Sequence, residues 1–492
     1  MSVREELRPG LEQRAGVRRY LSGMVLGLAI LQALWIVTVP PFRASDEFDH
    51  AYRAAAVARG QWWAPDAPEN GRGTLVRVPA DLVTAAHDQC ANLLYTGEDN
   101  CNAVPGSEVD GTVLVGSGAG IYNPLYYFVI GTAARPFHGA AALYAMRVVG
   151  ALLCLLFLGL GAWALSRGRP HAWASVGFLL SLTPVFIYST VVGAPNGLEM
   201  AAALALWCLL LRAPEADDPA TQRRMLALAG VAASVVVTLR TLGPLFVILI
   251  VLVTLLFHGR RAWPFIRSHG RFLAVTATLV SLATAAAAAW SVLAGLLNGN
   301  PEENITRWSP DTIVLWPLQT IAAFPLRNEA APAFVYPVVG GLVCLLFYVG
   351  VRAARGPQRL ALVAALVVAL ATPLVLTLVS KGGVGVIWQG RYGLPVAVGF
   401  VVIAGLVLDG TRPGPRRMAL VLGGAGLASA TAGSLVRILR DEAGREASMH
   451  DGAWHSPPTS LVIAASIIAW AVLVAAVSAA ASRSERVEMP SP

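Results

Sequence analysis

Tyr20-Leu-Ser-Gly-Met-Val-Leu-Gly-Leu-Ala-Ile-Leu-Gln-Ala-Leu-Trp-Ile-Val-Thr-Val39 runs without a charge into Pro40-Pro-Phe-Arg-Ala-Ser-Asp-Glu-Phe-Asp-His50. A helix of that length spans about 30 Å, the thickness of a bilayer's hydrocarbon core. Lipid offers no partner to an unpaired backbone group, so such a run reads as a crossing helix. Charges precede it and no small-residue cleavage site follows, so it reads as an anchor helix and not a cleaved leader. The acidic turn after Pro40-Pro41 then lies at a membrane surface.

The rest of the chain repeats the first feature many times. Of 492 residues, 56% are hydrophobic and only 13% charged, with a mean hydropathy of +0.61. That leaves too little polar surface to cover a water-soluble globule of this size, and it excludes a disordered chain and a disulfide-rich secreted scaffold. Further apolar runs fall at 140–166, 171–192, 196–212, 271–297, 333–351, 360–379, 392–410, 418–436 and 459–481. Two shorter runs, 225–239 and 243–258, flank Thr238–Pro244, so the expected fold is an all-α integral membrane protein of twelve crossings.

Arginine sets the expected orientation, because short cytoplasmic loops keep an excess of basic residues. The net charge is +8, carried by 36 Arg and a single Lys, Lys381. Arg18 and Arg19, Arg167, Arg223 and Arg224, Arg260 and Arg261, Arg352 and Arg355, Arg412 and Arg417, and Arg483 fall on one side only if 121–137 does not cross. That stretch, with Pro124 and Pro136, therefore reads as a re-entrant or interfacial helix on the outer side. Both termini are then expected in the cytoplasm. The basic residues are spread over many loops with no aromatic interleaving, which argues against nucleic acid as a partner.

The expected organisation is a cytoplasmic tail (1–19), a transmembrane core (20–410), a C-terminal helix pair (411–481) with an outer loop at 437–458, and a second tail (482–492). The core includes the large outer loop 40–120. Within that loop Cys90 and Cys101 are the only cysteines outside apolar runs, and a disulfide between them suits an oxidising exterior. Cys154, Cys208 and Cys344 read as small buried apolar residues.

Several costly residues fall at outer ends. Ser45 is a plausible N-cap, with Asp46, Glu47 and Asp49 in the first helical turn. Asp46 and His50, four apart, share a helix face. Arg147 lies about two turns inside a crossing, a depth at which a charge is expensive unless it is paired or functional. Asn196 and Glu199 follow Pro195 in a short outer turn, and Arg240 sits at the tip between the two short helices. Lys381 and the run Trp388-Gln-Gly-Arg-Tyr392, with Gln389, Arg391 and Tyr392, occupy another outer turn. Arg240, Lys381 and Arg391 would form a basic pocket at headgroup depth, suited to a phosphate, with Arg147 beside it.

Pro40-Pro41 with Asp46-Glu47-x-x-His50, then Tyr122-Asn-Pro-Leu-Tyr-Tyr127, Ser181-Leu-Thr-Pro184, Ala194-Pro-Asn196 and Gln389-Gly-Arg-Tyr392, occur in an order that resembles one bacterial family. It is the membrane-protein family known as domain of unknown function 2142, which is similar in turn to the GT-C superfamily of polyprenyl-phosphate-sugar glycosyltransferases. The resemblance implies a GT-C-like core in a bacterial plasma membrane, with its active face outside the cytoplasm. It implies transfer of a sugar from a polyprenyl-phosphate donor to a glycan or glycolipid acceptor of the cell envelope. Asp46 or Glu47 would be the general base. Arg240, Lys381, Arg391 and Arg147 would meet the donor phosphate, and Tyr122, Asn123, Asn196, Glu199, Gln389 and Tyr392 would line the substrate pocket. His50 would orient a carboxylate or help hold a divalent ion, and oxygen-rich ligands of this kind suit magnesium or manganese. A carrier or flippase for lipid-linked saccharides is the alternative from another class, as is a non-catalytic envelope-assembly protein.

Overall fold

The computed structural model describes residues 3–91, 93, 96–167, 171–216, 218–295, 309–325, 329–380, 388–412, 414–415, 417–443 and 454–488. Helix α1 (Val3–Thr38) ends at Pro40, and α2 (Glu47–Ala58) follows after a sharp corner. The outer insert holds β1 (Thr74–Pro79), α3 (Ala80–Ala91), α4 (Glu98–Cys101) and β2 (Thr112–Ser117). Then come α5 (Pro124–Ala134), α6 (Gly139–Leu165), α7 (Ala172–Ser181), α8 (Pro184–Val191) and α9 (Asn196–Arg212). The second half contains α10 (Pro219–Leu239), α11 (Gly243–His258), α12 (Ala262–Ser268), α13 (Gly270–Leu293) and α14 (Thr312–Gln319). It closes with α15 (Val335–Ala353), α16 (Gly356–Val379), α17 (Leu394–Asp409), α18 (Arg417–Glu442) and α19 (Thr459–Glu488).

Among the described residues eleven helices are long and apolar enough to cross a membrane, and twelve when the bent pair α7–α8 counts as one span. The geometry favours twelve. Asp409, at the far end of α17, accepts hydrogen bonds from the backbone N–H groups of Trp173 (2.8 Å) and Ala174 (2.9 Å) at the start of α7. The near end of α17 adjoins the site described below, and so does the end of α8. The pair therefore traverses the bundle from one face to the other. The expected unbroken helix over 171–192 is instead two helices bent by 68°. Pro184 causes the break, since it disfavours helical geometry in the residue before it and lacks an N–H. Protein groups hold the break: the Val185 N–H donates to the Ile321 carbonyl (3.1 Å), and the Thr183 hydroxyl donates to the Thr320 carbonyl (2.8 Å). Irregular backbone at membrane depth is tolerated where protein satisfies it.

Helix α9 is the hub, buried along nearly its whole length, and α6, α8, α10, α11 and α17 pack around it. Its alanine-rich face lets neighbours approach closely, the usual basis of helix packing where lipid removes the hydrophobic driving force. By contrast no described side chain of α13 is fully buried. Helix α19 packs along α1, so the C-terminal pair joins the first helix.

Helix α5 has 11 residues, about 16 Å, too short to cross, and it lies against α2 and α6. The outer insert is not purely helical. Its two strands pair antiparallel, Thr74 opposite Ser117 through Pro79 opposite Thr112. A disulfide joins Cys90 of α3 to Cys101 of α4. Asp81 of α3 accepts from the Gly139 N–H (3.0 Å) and pairs with His138 (3.1 Å), which docks the insert on α6.

Three local expectations need correction. Ser45 is not the N-cap of α2: its hydroxyl donates to the Pro325 carbonyl (3.0 Å), and Asp46 takes the cap position without a side-chain cap bond. Helix α10 begins at Pro219 rather than 225, because the Asp218 carboxylate caps the Thr221 N–H (2.8 Å). Cys344 is exposed on the outer side of α15 rather than buried, since that helix covers the core with its opposite face.

Candidate functional site

The end of α1 leaves backbone carbonyls without helical partners. Arg147, on α6, supplies them: it donates to the carbonyls of Val39 (2.6 Å) and Pro40 (2.8 Å), and more loosely to Ile36 (3.4 Å). The same guanidinium grips Glu47 with two bonds, Nε to Oε1 (2.8 Å) and a terminal nitrogen to Oε2 (2.6 Å). Glu47 also accepts from the Gly193 N–H (3.1 Å). Both side chains are almost completely buried. The pair therefore bolts the α1–α2 corner to α6 and to the α8–α9 turn, and neither residue lines the cavity beside it. Expected as a base and a phosphate ligand, the two residues instead pair with each other outside the cavity lining.

One residue earlier, Asp46 turns the other way. Its backbone is left-handed (φ 56°), a conformation that costs energy in a non-glycine residue and that Asp tolerates better than most. The carboxylate faces a cavity enclosing about 600 Å³ of atom-free space, its open mouth included. The α1–α2 corner, the Gly118–Tyr122 loop, the α8–α9 turn, the α10–α11 tip and the short 3-10 helix Gly390–Gly393 all converge on it. Asp46, His50, Tyr122, Asn196, Arg240, Arg391 and Tyr392, chosen from the sequence, all line this space.

Two further charged groups complete it. Asp49 is buried, accepts from the Gly118 N–H (2.7 Å), and pairs with Arg72, which reaches in from the outer insert. Arg72 also donates to Asp46 (3.0 Å) and so bridges both carboxylates. Burial pushes the Asp49 carboxyl up to about 6, against the opposing pull of Arg72. Burial also holds His50 down to about 3, so the ring is neutral. Its Nδ1 shares a 2.7 Å hydrogen bond with the Tyr127 hydroxyl, and the two rings stack.

Opposite the carboxylates stand two cations. Arg240 donates to Asn196 and lies 4.8 Å from the centre of the Tyr392 ring. Arg391 is 8% exposed, approaches the same ring (5.6 Å), and its Nε has no hydrogen-bond acceptor among the described residues. A buried guanidinium with unspent donors is costly unless a ligand supplies the acceptor. Three guanidinium groups thus face two carboxylates in one enclosed space. That arrangement suits an anion bearing several acceptor oxygens.

The other expected residues lie nearby but outside the lining. Asn123 caps α5, accepting from Leu125 N–H (3.1 Å). Gln389 and Glu199 are buried behind it, each with one side-chain oxygen unpaired among the described residues. Lys381 lies outside the described residues. Asp49 was visible in the sequence only as a capping acid, and Tyr188, Ser189 and Arg72 carried no signal at all. Among the described residues no cluster of three or more His, Cys, Asp or Glu side chains occurs, and the Arg72 guanidinium bridges the carboxylates of Asp46 and Asp49.

A family model described as "Predicted membrane protein (DUF2142)" matches residues 29–400. Two solved structures of ArnT from Cupriavidus metallidurans, one in the apo state and one bound to undecaprenyl phosphate, are similar to this chain at 15% identity each. In both cases 93% of this chain and 77% of the other are covered, with TM-scores of 0.45 and 0.44. No curated protein matches the sequence.

Proposed function

The chain belongs to the DUF2142 family of membrane proteins, and from that premise we propose that it is an integral-membrane glycosyltransferase. Its donor is a polyprenyl-phosphate-linked sugar and its acceptor a glycan or glycolipid of the cell envelope. The observation that carries this reading is Arg391: a buried guanidinium with donor capacity to spare, beside Arg240 and across the cavity from Asp46. A second groove supports a lipid-borne substrate. It encloses about 920 Å³ between α10, α11 and α13, is lined mainly by apolar side chains, and shares Tyr122 and Arg240 with the polar cavity. A phosphate at Arg240 would leave its prenyl chain on the membrane side.

In this reading Asp46 accepts the proton of the acceptor hydroxyl as that oxygen bonds to the anomeric carbon. The bond from the anomeric carbon to the phosphate oxygen breaks, and its electron pair leaves with the phosphate. Arg391 and Arg240 take up the developing charge in a site largely shielded from water. Glu47, spent on Arg147, leaves Asp46 as the base. The arginine-rich loops put the opposite face in the cytoplasm, so transfer takes place on the outer side of a bacterial plasma membrane.

The test is release of polyprenyl phosphate from radiolabelled lipid-linked sugars by the purified protein in lipid nanodiscs. Asp46→Asn is expected to lower turnover by about 10²–10⁴-fold, the contribution of a general base. Arg391→Ala is expected to lower it by about 10²–10³-fold. Full turnover in both variants, or lipid translocation without sugar release, overturns the reading.

A further inference from the structure

Arg72 comes from a loop 26 residues beyond Asp46, yet it touches both carboxylates of the cavity. We propose that Arg72 is a positioning residue for Asp46, and that Asn100, anchored by the neighbouring disulfide, sets where Arg72 stands. The inference rests on Asp46 as the proton acceptor of the proposed transfer.

Asn100 is fully buried and spends its whole amide on this loop. Its Oδ1 accepts from the Arg72 N–H (2.8 Å) and the Gly97 N–H (3.3 Å), and its Nδ2 donates to the Arg72 carbonyl (3.0 Å). One side chain therefore satisfies both backbone polar groups of Arg72. A second clamp lies beside it: Asn70 N–H donates to the Asp99 carboxylate (2.8 Å), and Asp99 N–H donates to the Asn70 carbonyl (3.1 Å). On the other flank Gly73 is left-handed (φ 78°), and a Cβ there would stand 2.0 Å from the Ser117 carbonyl oxygen. The loop thus enters β1 along a single path.

The residue after Asn100 is Cys101, bonded to Cys90 on α3. Helix α4 has only four residues and cannot hold its own position by helical bonding. The covalent link to α3 supplies that position, and α3 is itself docked on α6 through Asp81. Rigid connection therefore runs from the membrane helix through the disulfide to Asn100, to the Arg72 backbone, and to the guanidinium that orients Asp46. Such support matters because a displacement of about 1 Å at a reacting group can cost about 100-fold in rate. Arg72 also offsets one carboxylate and leaves the cavity lining with an excess of positive charge for a phosphate.

The test needs no turnover. Full-length protein in nanodiscs is treated with a water-soluble carbodiimide and glycine ethyl ester, and labelling of individual carboxyls is read by mass spectrometry. Arg72→Ala should raise labelling of Asp46 and Asp49 about tenfold, the factor that corresponds to one pKa unit of lost stabilisation. Labelling of exposed Asp110 should stay unchanged. Arg72→Lys, or millimolar guanidinium added to Arg72→Ala, should restore most of the protection. Asn100→Ala and the double variant Cys90→Ser with Cys101→Ser should raise labelling part of the way. Unchanged Asp46 labelling in Arg72→Ala, or an equal rise at Asp110, overturns the role of Arg72. Wild-type labelling in Asn100→Ala overturns the support path. Loss of protection together with full turnover in Asp46→Asn would keep the device and reject Asp46 as the base, and loss of protection with no sugar release by the wild type would keep the device and reject the transferase, so the failures are distinguishable.

Discussion

Glu47→Gln separates a structural acid from a chemical one at adjacent positions. Glutamine keeps the shape but turns one of the two oxygens held by Arg147 into an NH2 group that faces a donor, and it leaves the guanidinium without a counter-charge. Glu47 and Arg147 are 0% and 1% exposed, so water cannot compensate. Breaking a buried pair from one side costs about 3–5 kcal/mol. Arg147 retains its bonds to the Val39 and Pro40 carbonyls, which places the expected loss near the lower end, about 3 kcal/mol. The assay is a reversible unfolding titration in mixed micelles, run as a double-mutant cycle with Arg147→Met. Removing both charges should be less harmful than the two single losses added together, with a coupling of about 2 kcal/mol. If the proposed function holds, folded Glu47→Gln protein should bind a polyprenyl phosphate within about threefold of the wild type, a difference of about 0.7 kcal/mol. A variant as stable as wild type that has lost sugar transfer would refute the argument and return Glu47 to the chemistry.

Three further outcomes follow from the same geometry. Asp49 binds its proton up to about pH 6 in the folded chain against a reference value of 3.8, so between those values the native state holds a proton that the unfolded chain has released, and stability falls as pH rises. Asp49→Asn should remove that slope, measured as unfolding midpoints from pH 4 to 7; a slope as steep as the wild type's would show that Asp49 does not carry it. Cys90→Ser should destabilise the outer insert by about 3 kcal/mol, the loop-entropy value for an 11-residue separation, seen as faster proteolysis there with the membrane helices intact. Gly131→Ala places a Cβ 2.1 Å from the Ala54 carbonyl oxygen and should force α5 away from α2, at a cost of about 1–3 kcal/mol in the same titration; an unchanged midpoint would show that the two helices do not pack in this way.

Much of the site was legible because apolar sequence makes polar residues conspicuous. Asp46, His50, Asn196, Arg240 and Arg391 stood out against runs in which a charge or amide is expensive, and the ends of those runs assigned them to one face. Arg147 stood out for the same reason, but cost alone does not separate a ligand-binding cation from a structural one. Asp49 was present in the motif and read as a cap, since an acid in a first helical turn has a sufficient local explanation. Arg72 lies among the glycines and polar residues of the insert, where an arginine is unremarkable.

The sequence by itself determined the class of the molecule, the number of crossings, the stretch 121–137 as one that does not cross, and the pairing of the two outer cysteines. These follow from hydropathy, length and composition, which are local properties. Only the tertiary structure decided which of two neighbouring carboxylates faces the cavity. Asp46 and Glu47 differ by one residue, but the left-handed turn at Asp46 sends their side chains to opposite sides of the corner, one toward Arg72 and one toward Arg147. Those arginines lie 26 and 100 residues away along the chain. Charge pairing acts through space, so its partners are set by how the helices and the insert pack and cannot be read from spacing along the chain.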